Sequence, residues 1–145
     1  MTPVTFIERE MKKPEFARMC KGFHEHSLEH GSSAEAERFG FVALNGEKFI
    51  GCSSGLSYKD EQGYNSWFHL TDLFVEVSYR KQGVGKELLG KLEARIRALG
   101  IRYIYTWTAG YEAPGFYAKQ GYQIFTELEG YYRSGHSRVG LRKTL

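Results

Sequence analysis

Long apolar segments are missing from this sequence of 145 residues. No run approaches the roughly 18 apolar residues that a membrane-spanning helix needs, so no membrane partner is expected. Residues 1–10 also lack the apolar stretch of a signal peptide. We therefore expect a cytoplasmic protein, folded as a single domain over residues 1–145, because this length suffices for one hydrophobic core.

Cysteines and charge tracts of one sign are also scarce. Cys20 and Cys52 do not form a C-x-x-C pair, and in a chain without an export signal we expect both to be reduced. Basic residues are interspersed with acidic ones and the formal net charge is only +3, which does not indicate a nucleic-acid partner. Aromatic residues, by contrast, make up 15% of the chain, a share that suggests a site lined by rings.

The sequence does contain alternating helix-like and strand-like segments. An apolar stripe predicts a helix over residues 14–29, and the polar residues 33–38 suggest a further helical turn. Asn45-Gly46 predicts a tight hairpin. Strand is favoured at residues 4–8, 39–44, 48–57, 67–77, 101–106, 122–128 and 138–144. Because a helix separates residues 67–77 from residues 101–106, these two strands should be parallel neighbours.

A basic turn that contains two glycines, Arg80-Lys81-Gln82-Gly83-Val84-Gly85, follows the strand at residues 67–77. The segment after it predicts an amphipathic helix, with the apolar residues Leu88, Leu89, Leu92, Ile96 and Leu99 at helical spacing. Two i,i+4 charge pairs, Glu87–Lys91 and Glu93–Arg97, are expected on the solvated side of this helix. The first N–H groups of a helix lack intrahelical partners and favour an anion, so the turn predicts a phosphate site.

Two known phosphate-binding motifs are excluded at this turn. A P-loop requires G-x-x-x-x-G-K followed by Ser or Thr, but Gly85-Lys86 is followed by Glu87 and the earlier glycine is missing. A dinucleotide fingerprint requires a third glycine where Leu88 stands. The pattern that remains is R-x-x-G-x-G between a strand and a helix.

This pattern and the order of the predicted elements resemble the GCN5-related N-acetyltransferase (GNAT) superfamily. A second segment, A-P-G-F-Y-A-K-Q-G-Y at residues 113–122, resembles the A-x-x-F-Y-x-x-x-G-F/Y segment of that family. The resemblance implies an α+β fold with a mixed central sheet of about seven strands flanked by about four helices. It also implies an N-acetyltransferase that uses acetyl-CoA as co-substrate.

The resemblance assigns the cofactor contacts residue by residue. The turn would hold the pyrophosphate, the end of the preceding strand would face the pantetheine arm and the thioester, and the second segment would complete the site. The cofactor-binding residues are then Phe74, Val75, Val77, Arg80, Lys81, Gln82, Gly83, Val84, Gly85, Lys86, Phe116 and Tyr117. Tyr117 matches the family tyrosine that protonates the departing thiolate. Many relatives have Asn where Gly110 stands, so Thr108 or Tyr111 would have to make that contact here.

The attacking amine must lose a proton, and two carboxylates lie on the strand beside the expected thioester. Asp72 is our first choice as the base and Glu76 the second, with direct or water-mediated transfer, and His69 is a further option. Both carboxylates could instead occupy the solvated face of a strand.

In the family, the first helix and the connection between the last two strands form the acceptor site. The corresponding residues here are Glu25, His26, Glu29 and His30, with Tyr131 on the connection and His69 nearby. Carboxylates and rings suit a small polar or cationic amine. A protein or peptide N-acetyltransferase and a CoA-binding sensor without turnover remain alternatives. Homodimers are common in the family, although no segment here marks an interface.

His26-Ser27-Leu28-Glu29-His30 also satisfies H-x-x-E-H, the inverted zinc-peptidase pattern. Two imidazoles one helical turn apart permit a metal site in principle. Such peptidases need a further ligand from a larger domain, however, so we expect neither peptidase activity nor a metal cofactor.

Overall fold

The computed structural model describes residues 2–31, 35–111 and 114–145. The chain divides into two compact units, Met1–Ala34 and Glu35–Leu145. Among the described helices, none is long and apolar enough to cross a membrane.

The first unit contains the helix α1, Lys13–Glu29, as the apolar stripe predicted. The Glu15 carboxylate stabilises its N-terminus. It accepts a hydrogen bond from the Lys12 N–H at 2.6 Å and a bidentate pair of hydrogen bonds from the Arg9 guanidinium at 2.8 and 2.9 Å. The hydrogen bonds from Arg9 and from the Lys12 N–H lower the pKa of Glu15 to about 2. A carboxylate in the first turn also interacts favourably with the positive end of the helix dipole.

The strand predicted at residues 4–8 is wrong, because these residues form neither strand nor helix. An alternation of apolar and polar residues over so short a segment does not stabilise a strand unless a neighbouring strand pairs with it. The helical turn suggested at residues 33–38 is also wrong from Glu35 onward, where a strand begins. Pairing of Glu35 with Lys59 in a ladder overrides the polar composition. Residues 33 and 34 lie outside the described part.

The second unit is built on a mixed seven-stranded sheet with the order β1-β2-β4-β5-β7-β6, and β3 pairs with β2 outside this path. Its strands are β1 Glu35–Asn45, β2 Lys48–Asp60, β3 Gly63–Tyr64, β4 Trp67–Val75, β5 Tyr103–Ala109, β6 Gln123–Leu128 and β7 Arg138–Thr144. The predicted α+β fold is confirmed, although the short β3 replaces the strand expected at residues 4–8. The predicted parallel pairing of β4 with β5 is also confirmed.

Two helices and one short turn complete this unit: α2 Val84–Ala98, α3 Pro114–Lys119 and a 3-10 turn at Val77–Tyr79. With α1, the described residues contain three α-helices. The hairpin predicted at Asn45-Gly46 joins β1 to β2, and Gly46 adopts a φ of 61°, a left-handed conformation that glycine adopts readily.

The core lies between α2 and one face of the sheet. The apolar stripe of α2 is buried as predicted, with Leu89, Leu92 and Ile96 at 0–1% exposure, against Phe68 and Leu70 of β4. Each such side chain contributes about 1.5–3 kcal/mol on burial. This packing fixes the start of α2 next to the end of β4.

One expected charge pair is confirmed and the other is wrong. Lys91 and Glu87 are 3.8 Å apart on the exposed side of α2. Glu93 is instead buried, with a side chain 9% exposed. It lies four residues after Leu89 and three before Ile96, which places it on the apolar face. There it accepts hydrogen bonds from the Tyr122 hydroxyl at 2.7 Å and the Lys143 ammonium at 2.8 Å.

Candidate active site

The parallel strands β4 and β5 separate part-way along their length. Their ladder joins Trp67–His69 to Tyr103–Tyr105, although β4 continues to Val75 and β5 to Ala109. At the point of separation the Thr106 hydroxyl donates a hydrogen bond to the Leu70 carbonyl at 2.9 Å. Beyond it, the described residues of the two strands form no ladder pairs with each other. This edge of β4 therefore offers backbone donors and acceptors to an extended ligand.

A bulge in β4 changes which side chains face the core. Ser54 of β2 pairs with Asp72 and the next residue, Gly55, pairs with Leu70, so Thr71 is the extra residue. Before the bulge, Phe68 and Leu70 belong to the core. After it, Leu73 packs against the core. Because one extra residue reverses the alternation, Asp72 and His69 lie on the same face, opposite α2.

Asp72 is surrounded by polar partners on this face. Its carboxylate accepts a hydrogen bond from the Thr71 hydroxyl at 2.7 Å and lies 3.5 Å from the Arg38 guanidinium. Its side chain is 61% exposed, so solvent reaches it. Glu76 follows the end of β4, where its backbone N–H donates to the Ile50 carbonyl at 2.8 Å. It is half-buried and begins the 3-10 turn.

The turn at residues 80–83 is held in an unusual conformation. Lys81 has a φ of 61° and Gly83 a φ of 84°, and a left-handed conformation costs a non-glycine residue about 1–2 kcal/mol. The Arg80 Nε donates to the Val75 carbonyl at 2.9 Å, which ties the turn to the end of β4. The intrahelical hydrogen bonds of α2 begin with the Glu87 N–H, which donates to the Gly83 carbonyl at 3.0 Å. The N–H groups of residues 84–86 precede it and are available to an anion.

Three elements meet beside this turn. A Cβ placed on Gly85 would lie 3.6 Å from Val75 Cγ2 and 3.7 Å from the Phe116 ring. The α2 N-terminus, the end of β4 and α3 are therefore adjacent. Tyr117 of α3 is 6% exposed, and its ring centroid lies 5.4 Å from that of Phe116 and 5.3 Å from that of Tyr122. The two sequence motifs thus come together in space.

Two other predicted cofactor residues lie away from this junction. The Phe74 ring stacks on Phe49 with centroids 6.3 Å apart, and it lines a groove of about 580 Å³ that also contains Asp72 and Cys52. Val77 is 73% exposed in the 3-10 turn.

A larger open pocket of about 740 Å³ is lined by aromatic side chains, as the aromatic share of the sequence suggested. The rings are those of Tyr58, Tyr64, Trp67, His69, Tyr103 and Tyr105. Trp67 stacks on Tyr103 with centroids 4.7 Å apart, and His69 stacks on Tyr105 at 4.5 Å. Sequence reasoning singled out only His69, although alternate positions of the neighbouring strands β4 and β5 carry Trp67, Tyr103 and Tyr105 as well. That period of two was the available signal.

Burial lowers the pKa of His69, and the positive charges of Arg38 and Arg138 lower it further, against an opposing effect of Asp72. The imidazole is therefore neutral at neutral pH. Arg138 also lies over the Tyr131 ring, 5.4 Å from its centroid. The other predicted acceptor residues, Glu25, His26, Glu29 and His30, belong to α1 in the first unit.

Residues 36–124 match the acetyltransferase (GNAT) domain family. The chain belongs to the GNAT family of acetyltransferases. The matched range includes the separating strands β4 and β5, the turn before α2, and α3. This GNAT protein therefore has the family's sequence pattern in the same region where its structure brings the two motifs together.

Relatives of known name are found by sequence and by structure. Blasticidin-S acetyltransferase from Streptomyces morookaense is 33% identical over 69 residues, which cover 45% of this chain and 48% of that protein. The match thus spans about half the length of this curated relative. An acetyltransferase from Bacillus cereus ATCC 14579 superposes with a TM-score of 0.82 and 26% identity, over 97% of this chain and 98% of that one. An aminoglycoside 6′-N-acetyltransferase complexed with coenzyme A gives a TM-score of 0.62 at 24% identity, over 74% and 73% of the two chains.

Proposed function

We propose that this GNAT protein transfers the acetyl group of acetyl-CoA to a primary amine of a small polar or cationic molecule. The observation that carries the proposal is the separation of β4 from β5, with the N-terminus of α2 at the same end. A long thioester cofactor with an anionic pyrophosphate needs both features: a strand edge for its arm and a donor-rich turn for its phosphates.

In this proposal the backbone of residues 82–86 and the Arg80 side chain bind the pyrophosphate, and Lys81 or Lys86 adds positive charge near the other phosphates. The pantetheine arm lies along β4 up to Val75, and Phe116 closes the site beside Gly85. The relative that is complexed with coenzyme A has the same fold, which supports this cofactor. The left-handed residues at positions 81 and 83 also support it, because strained turns persist where a site requires them.

The reaction proceeds by direct attack in a ternary complex. The amine nitrogen forms a bond to the thioester carbonyl carbon, and a backbone N–H of β4 stabilises the oxyanion. The C–S bond then breaks, and the thiolate takes a proton from the Tyr117 hydroxyl. The proton lost by the amine goes to Asp72 or Glu76, directly or through water. Asp72 stays the first choice, because it shares a sheet face with His69.

The acceptor occupies the ring-lined pocket. Its aromatic faces attract a cation, Asp60 adds a carboxylate to its lining, and the neutral His69 accepts a hydrogen bond from an ammonium group. Tyr131 borders the acceptor from the loop before β7. The names of two relatives, blasticidin-S acetyltransferase and aminoglycoside 6′-N-acetyltransferase, support a small-molecule amine.

The test is acetyl transfer from labelled acetyl-CoA to a panel of polyamines, aminoglycosides, amino-acid derivatives and peptides. We expect turnover with at least one small amine, and activity on peptides alone would overturn the small-molecule acceptor. Tyr117→Phe should bind acetyl-CoA normally but lose roughly 10²-fold or more in kcat, because the phenol donates the proton to sulfur. Normal cofactor binding without turnover on any acceptor would favour a CoA-binding sensor.

A further inference from the structure

The H-x-x-E-H segment lies on the last turn of α1, and the structure brings its three donor side chains together. His26, Glu29 and His30 each offer a ligand atom, and these atoms all lie within 4.8 Å of one another. The imidazole centroids of the two histidines are 4.4 Å apart, and His26 Nδ1 is 3.9 Å from a Glu29 carboxylate oxygen. The acetyl-transfer proposal uses none of this geometry.

The orientation of one imidazole is fixed by the backbone. His30 Nδ1 lies 2.9 Å from the His26 carbonyl oxygen. A carbonyl only accepts, so His30 Nδ1 carries a hydrogen in this contact, and Nε2 is the nitrogen that could bind a metal. Metal-binding histidines usually donate their second ring N–H to a carbonyl or carboxylate in this way, which holds the ring and its tautomer.

The position on the helix also favours a cation. α1 ends at Glu29 and His30 is its C-cap residue. The last carbonyl groups of a helix carry the negative end of its dipole, so positive charge is stabilised there. All three side chains are exposed and can rotate, which allows their donor atoms to close to the roughly 3.4 Å spacing of a tetrahedral zinc site.

Although the sequence alone led us to expect no metal, the clustering of these side chains changes that expectation. We propose that His26, Glu29 and His30 bind one divalent transition-metal ion of the zinc class at the C-terminal end of α1, with water completing the coordination. The two imidazoles supply nitrogen ligands and Glu29 an oxygen ligand, a donor set that zinc accepts. The site is structural: the ion joins two successive turns and stabilises the helical conformation, because the unfolded segment lacks the preformed geometry.

The test is calorimetric titration of the untagged full-length chain with zinc chloride in a non-coordinating buffer. We expect one ion per chain, and His26→Ala or His30→Ala should weaken zinc binding by at least about tenfold. Glu29→Gln should weaken it less, because both imidazoles remain. His24→Ala is the matched control, since two residues along a helix place it about 200° round the axis, and it should leave the affinity unchanged.

Two outcomes would overturn the proposal. One is the absence of saturable binding at zinc concentrations up to about 1 mM, where even a site with a binding free energy of about −4 kcal/mol would be half occupied. The other is binding that persists in the double variant His26→Ala/His30→Ala. The titration is repeated in a Cys20→Ser/Cys52→Ser background to remove thiolate ligands, and binding lost in that background also contradicts the assignment. Circular dichroism of each variant confirms that α1 remains helical.

Discussion

Replacing Glu93 by alanine removes the carboxylate that joins α2 to the strand β7. Its two oxygens accept hydrogen bonds from Tyr122 at 2.7 Å and Lys143 at 2.8 Å. The substitution leaves the Tyr122 hydroxyl and the Lys143 ammonium without this acceptor, in a region where the Glu93 side chain is only 9% exposed. Tyr122 packs on Tyr117, so the loss also reaches the wall of the proposed active site.

The size of the effect follows from burial. Removing one partner of a buried ion pair costs about 3–5 kcal/mol. The Lys143 side chain is 23% exposed, so its ammonium can turn toward water. The lower end of this energy range therefore applies. We expect Glu93→Ala to lower the free energy of unfolding by about 3 kcal/mol and Tm by about 10 °C.

Urea denaturation followed by circular dichroism measures this loss. The matched control is Glu87→Ala, because Glu87 pairs with Lys91 on the exposed side of the same helix and should change stability by less than about 0.5 kcal/mol. An equally small effect of Glu93→Ala would refute the reasoning. The apolar triple variant Glu93→Leu/Tyr122→Phe/Lys143→Met should regain most of the lost stability, since no unpaired polar group remains. If the triple variant does not regain this stability, the loss in Glu93→Ala comes from altered packing and not from unpaired polar groups.

Four further substitutions, in three experiments, test Tyr122 and the proposed active site. Burial raises the pKa of Tyr122, and the nearby Glu93 charge raises it further. The contribution of Tyr122 to the free energy of unfolding is therefore complete below the ordinary tyrosine pKa of about 10, and it declines as the pH rises above that value. Tyr122→Phe should therefore reduce the decline in unfolding free energy between about pH 9 and about pH 11, and equal declines in both proteins would contradict this. Gly83→Ala places an L side chain at a φ of 84°. It should lower the free energy of unfolding by about 1 kcal/mol and weaken coenzyme A binding measured by calorimetry. Unchanged stability and unchanged affinity would argue against a phosphate site at this turn. Asp72→Asn and Glu76→Gln should differ in their pH–rate profiles, because only loss of the base removes the acidic limb of the profile. If both variants retain that limb, neither carboxylate is the base.

Local signals predicted much of the fold. The apolar stripe of α2, the hairpin at Asn45-Gly46 and the R-x-x-G-x-G turn each depend on residues close together in the chain, and each is found where it was expected. The strand predicted at residues 4–8 failed because a strand also needs a partner, which five alternating residues do not specify. Glu93 was misplaced for a related reason: its charge suggested solvent, and its buried partners come from positions far along the chain.

The sequence by itself determined the glycine-containing turn at residues 80–85, the two family motifs and the type of fold, because backbone conformation and helical or strand periodicity are local properties. Only the tertiary structure decided on which faces of the sheet the predicted site residues lie. The bulge at Thr71 reverses the alternation of β4 and places Asp72 on the face of His69, opposite α2. The separation of β4 from β5 likewise depends on pairing between distant segments. The register of a strand is set by the packing of whole strands against each other, so it could not be predicted from the residues of β4 alone.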